Sequence, residues 1–122
     1  MPVEELVQEA TQRLQAFGFQ PLDEGGGERH GAFEWMWVKL RGEKGHSYVS
    51  LSDSETAGGV HRIQVWAGAD NGVRFGRYLV REFSSSLDGN RDVIVESLEE
   101  AARRATALPD VTLTETYLRP TQ

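Results

Sequence analysis

The most constraining feature of this sequence is the stretch AFEWMWVKL at residues 32–40, which is apolar on both sides of a strand. A strand that buries one face against a core alternates apolar and polar residues. In an extended conformation this stretch points two apolar sets in opposite directions: Phe33, Trp35 and Trp37 on one side, and Met36, Val38 and Leu40 on the other. A fold that contains it must therefore cover both faces of a sheet, or use the second face to bind a partner.

Length and composition predict one cytoplasmic globular domain spanning residues 1–122. The chain is 39% hydrophobic and 26% charged, which is ordinary for a folded domain. It contains no cysteine, which excludes disulfides and thiolate metal sites and is typical of cytosolic proteins. The segment MPVEELVQEATQRL is acidic and amphipathic, unlike a signal peptide, and no stretch approaches the roughly 20 apolar residues that span a bilayer. We expect no membrane association.

The charge is distributed unevenly along the chain. The formal net charge is −6, which argues against non-specific binding to nucleic acid or to anionic membranes. Residues 1–30 carry −4 and residues 84–122 carry −3, whereas residues 31–83 carry +1. The central part of the chain is therefore slightly basic between two acidic flanks.

Two amphipathic helices are predicted, one near each end. The first covers residues 3–17 and stops at Gly18; the second covers residues 91–107, with Asp88 or Asn90 as its N-cap. Their apolar residues recur at helical spacing: Val3, Leu6, Val7, Ala10, Leu14 and Phe17 in the first, and Ile94, Leu98, Ala101, Ala105 and Leu108 in the second.

Between the helices the sequence predicts a four-stranded antiparallel meander. The strands are expected near residues 33–41, 46–52, 60–67 and 73–83. The connections GEKG, DSETAGG and DNG are too short for parallel crossovers, and Asn71-Gly72 favours a two-residue turn. The stretch DEGGGERHG at 23–31 is expected to be a flexible loop, and the tail at 109–122 could add an edge strand. The predicted architecture is an α+β two-layer sandwich, α-β-β-β-β-α, with both helices packed on one face of the sheet.

Registers inferred from the turns define a candidate binding face. A turn centred on Glu43-Lys44 pairs Val38 with Val49, and the Asn71-Gly72 turn pairs Val65 with Tyr78. These registers direct Glu34 and Glu82 toward the core, set Trp66 against Arg77 as a cation–π pair, and set Arg62 against Arg81. The predicted binding residues on the non-core face are Phe33, Trp35, Trp37, Tyr48, Arg62, Trp66, Arg77 and Arg81.

This second face allows four interpretations. It could be covered by the second helix or by the tail, it could bury its aromatic residues against a second copy, or it could bind another protein or a small ligand. It could also stack the bases of single-stranded nucleic acid, although the acidic total charge disfavours this.

The residues give little support for catalysis, a metal or a cofactor. His46 and His61 are predicted on opposite sides of the sheet, Ser84, Ser85 and Ser86 lie in a turn-rich linker without a nucleophile-elbow motif, and Glu34 is expected to reach solvent. We therefore predict a small acidic non-enzymatic interaction module that acts as a homodimer. In size and layout it is similar to dimeric secretion chaperones and to small immunity or inhibitor proteins. The alternative is a monomer whose sheet face binds an anionic or aromatic small ligand.

Overall fold

A computed structural model describes residues 2–22, 27–29, 32–41, 43, 45–55, 58, 61–70, 75–84 and 90–108. In chain order its elements are α1 (Pro2–Gln15), β1 (Gln20–Pro21), β2 (Gly27–Arg29), β3 (Ala32–Arg41), β4 (Gly45–Glu55), β5 (His61–Asp70), β6 (Phe75–Phe83) and α2 (Arg91–Ala107). Strands β3 to β6 form the predicted antiparallel meander, and both helices pack against one face of it. The predicted α+β class is confirmed. The edge strand predicted in 109–122 lies outside the described residues.

The sheet is five strands wide rather than four, because β1 and β2 both pair with the outer edge of β3. Gln20 lies opposite Val38, and Glu28 lies opposite Phe33. Strands this short carry no alternation of their own, so their pairing with β3 was not detectable from the sequence pattern. Residues 23–31 were expected to form a flexible loop, but Gly27–Arg29 form strand β2. The rest of that segment lies outside the described residues.

Helix α1 forms on the predicted apolar stripe, but it ends at Gln15, two residues earlier than predicted. Leu6 and Leu14 are at most 1% exposed. After Gln15 the chain turns through Gly18, whose φ of +91° is the left-handed conformation that favours glycine. The Phe19 N–H donates to the Leu14 carbonyl and the Gly18 N–H to the Gln15 carbonyl, both at 3.0 Å. This pair of bonds is a Schellman cap, which satisfies carbonyls at the helix end.

Helix α2 also follows its predicted stripe. Ile94, Leu98 and Ala101 are fully buried against the sheet. Asn90 is at the N-cap position, but its side chain makes no capping hydrogen bond. The helix is therefore held by its packing rather than by a side-chain cap.

Ion pairs join the first helix to the last. Arg91 at the start of α2 contacts Glu5 at 3.2 Å and Glu9 at 3.0 Å on α1, and Arg13 lies 3.6 Å from Glu99. These side chains are partly exposed, so each pair contributes little to stability by itself. Together they fix how α1 lies beside α2.

The core lies between the helices and the sheet face that they cover, which we call the helix face. Its buried sheet residues are Trp37, Val49, Leu51, Ile63, Val65 and Ala67. Small residues of α2 and β5 share this core, with Ala67 on the strand and Ala101 and Ala105 on the helix. Small side chains between a helix and a sheet let the two approach closely.

The predicted register between β3 and β4 is wrong by one residue. Val49 lies opposite Trp37 rather than Val38, because Arg41 pairs with Gly45 and leaves three residues in the connection. A slip of one residue exchanges the two faces of a strand. Trp35 and Trp37, which were predicted for the non-core face, therefore lie on the helix face.

The register between β5 and β6 also differs from the prediction. Asp70 pairs with Phe75, which leaves four residues in the connection rather than two. Further along, Leu79 and Arg81 pair with consecutive residues of β5, so Val80 is the extra residue of a β-bulge. The bulge changes which face each later residue of β6 points to.

Candidate functional site

The face of the sheet opposite the helices is the candidate site, and we call it the open face. Within the described part of the chain, no helix or strand packs on it. The ladder register assigns these residues to it: Glu34, Met36, Val38, Leu40, His46, Tyr48, Ser50, Ser52, Arg62, Gln64, Trp66, Gly68, Asp70, Arg77, Leu79 and Glu82.

The middle of the open face is apolar. Met36, Val38 and Leu79 are half-buried, and Trp66 is 8% exposed. Leu40 lies near one end of β3 and is 76% exposed. Among the described residues it is the large hydrophobic side chain that is exposed to solvent. An exposed leucine beside half-buried apolar residues makes a continuous surface that a partner could cover.

Trp66 lies beneath a salt bridge that crosses the open face. The Arg77 guanidinium carbon is 4.2 Å from the centre of the Trp66 ring, which confirms the predicted cation–π pair. The same guanidinium lies 3.7 Å from Glu34 on β3, although β4 and β5 separate the two strands. Glu34 was expected on the core side and lies on the open face, because the register of β3 is shifted by one.

Gly68 allows the backbone beside Arg77 to approach closely. A Cβ at this position would lie 2.9 Å from the Gly76 carbonyl oxygen and 3.0 Å from the Arg77 Cβ. Both distances are shorter than normal contacts, so any side chain at Gly68 would push β6 away. Such a shift would also move the arginine that lies over Trp66.

At one end of the open face, polar side chains pair with each other. Glu82 accepts a hydrogen bond from Gln64 at 2.7 Å and lies 3.4 Å from Arg62. The predicted pairing of Arg62 with Arg81 is wrong, and so is the expectation that Glu82 faces the core. The longer connection shifts Arg81 away from Arg62, and the bulge at Val80 then sends Glu82 to the open face and Arg81 to the helix face.

At the other end, His46, Tyr48 and Asp70 form a compact cluster. The Tyr48 hydroxyl donates to Asp70 Oδ2, and His46 Nδ1 lies 3.3 Å from the same oxygen. Burial raises the pKa of Tyr48, and the hydrogen bond and negative charge of Asp70 raise it further. Tyr48 is thus a neutral hydrogen-bond donor at physiological pH and has no tendency to act as a phenolate.

Four of the eight predicted binding residues lie on the open face: Tyr48, Arg62, Trp66 and Arg77. Trp35 and Trp37 belong to the core cluster instead, and Trp37 donates its indole N–H to Thr11 of α1 at 3.0 Å. Phe33 shares their side of β3 by register, although its side chain is outside the described set. Arg81 is on the helix face because of the bulge.

The sequence prediction missed Met36, Val38, Leu40 and Leu79 as open-face residues. The signal was present in β4, where Val49 and Leu51 alternate with serines and so define which side faces a core. The observed register places Trp35 and Trp37, rather than Met36 and Val38, on the same side as Leu51 and Val49. Predicting it required assigning these two tryptophans to the core.

The described residues offer little basis for a metal or a nucleophile. They contain no group of three His, Asp or Glu side chains placed to hold a metal ion. His46 lies on the open face, whereas His61 lies on the other side by register, and His30 is not described. Ser84 is exposed just beyond β6, and Ser85 and Ser86 lie outside the described residues.

Comparison with known proteins gives this chain no relative: no protein-family model, curated protein or solved structure matches it. Of the helices that the structure describes, neither has the length and apolar character needed to cross a bilayer.

Proposed function

We propose that this chain is a non-enzymatic protein-interaction module that pairs with a second copy of itself through the open face. The observation that carries the proposal is the one-sided placement of the helices. Both helices pack on the helix face. No described helix or strand therefore covers the apolar middle of the open face, where Leu40 is 76% exposed. We further propose a cytoplasmic location, on the grounds of the cysteine-free composition.

The charges of the open face favour a second copy as the partner. Two acidic molecules of net charge −6 repel each other, so they associate best through surfaces that carry little net charge. The charged groups described on the open face are already paired within one sheet: Glu34 with Arg77, Glu82 with Arg62, and Asp70 with His46 and Tyr48. When two such faces meet, each of these charges keeps a salt-bridge or hydrogen-bond partner within its own sheet.

The edges of the sheet are poorer candidates for self-association than the face. The outer edge of β3 is paired with β1 and β2. Strand β6 at the opposite edge carries a bulge at Val80 and the charged residues Arg77, Arg81 and Glu82. Bulges and charges on an edge strand oppose pairing with another strand. We therefore favour contact between faces.

The alternative of an anionic or aromatic small ligand on the open face has weaker support. Arg62 and Arg77, the arginines described on that face, already contact carboxylates of the same sheet. A bound anion would have to displace Glu34 or Glu82. An aromatic ligand would have to displace Arg77 from the Trp66 ring. The same pairing disfavours binding of a nucleic-acid backbone.

The solution mass tests the proposal directly. Size-exclusion chromatography with light scattering across a concentration series should give about twice the chain mass of 13.6 kDa. Leu40→Glu should shift the protein to monomer, because the new charge would be buried against the partner. Gln12→Glu is the matched control, since it adds the same charge on the exposed side of α1.

A monomer at every concentration would overturn the proposal. A dimer that persists unchanged in Leu40→Glu would place the interface elsewhere and would overturn the role of the open face. Circular dichroism of both variants should match the wild type, because both residues are exposed.

A further inference from the structure

A second surface, separate from the open face, lies between β6 and α2. It is a cleft of about 310 Å³ on the helix side of the sheet. Three arginines line it: Arg81 from β6, and Arg103 and Arg104 from α2, together with Glu96 and Glu100. These five side chains carry a net charge of +1, whereas the whole chain carries −6.

The β-bulge is what brings Arg81 to this cleft. Val65 lies opposite Arg81, and Trp66 lies opposite Leu79. If Val80 were paired in an unbroken ladder, Val80 would lie opposite Val65, and Arg81 would point to the open face. The extra residue turns Arg81 to the side of α2, which is the re-aiming of a side chain that bulges provide near functional sites.

The two arginines of α2 are held in position by one carboxylate. Glu100 accepts hydrogen bonds from Arg103 Nη2 and from Arg104 Nε, each at 2.8 Å. These bonds lower the pKa of Glu100, so it stays ionised and keeps both guanidinium groups fixed. Arg104 also hydrogen-bonds Tyr78, and the Arg103 guanidinium lies 6.0 Å from the Phe17 ring. Each guanidinium has five N–H donors, so donors beyond these contacts remain for a ligand.

Arg81 brings to the cleft a guanidinium that no described salt bridge holds. Its guanidinium carbon lies 5.2 Å from the centre of the Phe83 ring. Among the described residues no carboxylate lies within salt-bridge distance of it. An arginine that is stacked on an aromatic ring, and faces two other arginines, is well disposed to bind an anion.

We propose that this cleft binds a small molecule carrying a phosphate monoester. Planar guanidinium groups match the oxygens of phosphate and can bond them in a bidentate way. The volume is at the lower end of small-molecule sites, which run from about 300 to 1,000 Å³, and it suits a compact phosphorylated compound rather than a nucleic acid. Val80 offers an apolar contact for the carbon part of the ligand.

The test uses the full chain and two probes, inorganic phosphate and glycerol 3-phosphate. Binding is followed by ¹H–¹⁵N NMR, with sodium chloride of matched ionic strength as the reference. Both probes should shift the resonances of Arg81, Arg103 and Arg104. Tighter binding of glycerol 3-phosphate would identify a phosphorylated small molecule as the ligand, whereas equal affinity would identify free phosphate and correct the proposed class.

Arg81→Gln should weaken binding of both probes at least tenfold. Arg13→Gln is the matched control, because it removes the same charge from an exposed side chain on α1 that does not line the cleft, and it should bind the probes as the wild type does. Arg81→Lys should bind with intermediate affinity, since it keeps the charge but loses the planar fork. Shifts no larger than those caused by chloride, or equal affinity in wild type and Arg81→Gln, would overturn the proposal.

Discussion

The two faces of this sheet are built from alternate residues of the same strands, yet they differ in how they are stabilised. On the helix face, Trp37, Val49 and Ile63 are at most 1% exposed and contact the two helices. On the open face, the apolar residues are mostly half-buried, and paired polar side chains flank them. The comparison shows that apolar composition alone does not identify a core. In β3 both sides are apolar, and the neighbouring strands decide which side is buried.

The largest expected effect on stability comes from truncating Trp37, the largest fully buried side chain of the helix face. Trp37→Ala should lower the free energy of unfolding by about 3–5 kcal/mol, because it opens a cavity under α1 and removes the hydrogen bond to Thr11. Urea denaturation followed by circular dichroism measures the loss. Trp37→Phe should cost less. If Trp37→Ala dissociated a dimer at full stability, Trp37 would be an interface residue and the comparison of the faces would fail.

An intermediate effect is expected from Tyr48 on the open face. Its folded-state pKa is raised above the ordinary value of 10.0, so the folded chain holds this proton more tightly than the unfolded chain does. The stabilisation of the folded state that results from this difference in pKa is fully present below pH 10.0. It is lost as the pH rises through the folded-state pKa of Tyr48. Tyr48→Phe should therefore lose about 1 kcal/mol at pH 7 and show a shallower decline in alkaline urea titrations. An unchanged alkaline slope would mean that Tyr48 ionises normally.

The smallest effect is expected from the salt bridge over Trp66. Glu34→Gln and Arg77→Gln should each change stability by less than about 1 kcal/mol, since both side chains are well exposed to solvent. The indole N–H resonance of Trp66 should nevertheless move in both variants. The Trp37 resonance should stay in place, since it belongs to the other face. Equal shifts of the two resonances would show that the faces are coupled rather than independent.

The elements of this fold were largely predictable, whereas its registers were not. Both helices follow from apolar stripes, and the α1 stop follows from Gly18. The register of β3 was ambiguous, because either of its sides could have served as the buried one. The bulge at Val80 has no local signal in an apolar run such as YLV, so the face of Arg81 could not be predicted. Of the candidate site, the Trp66–Arg77 contact was predicted, and the leucine and methionine of the open face were not.

The ion pairs between Arg91 and the acidic residues of α1 connect the first described helix to the last. During synthesis, α1 and the whole meander leave the ribosome before α2 does. Until then, Leu51 and Ile63 have no α2 to cover them, and the growing chain presents an apolar sheet surface on the helix face. The native packing of the helix face is thus completed only after α2 has been synthesised. A chain stalled or cleaved before residue 91 should be the species that chaperones retain and that aggregates first.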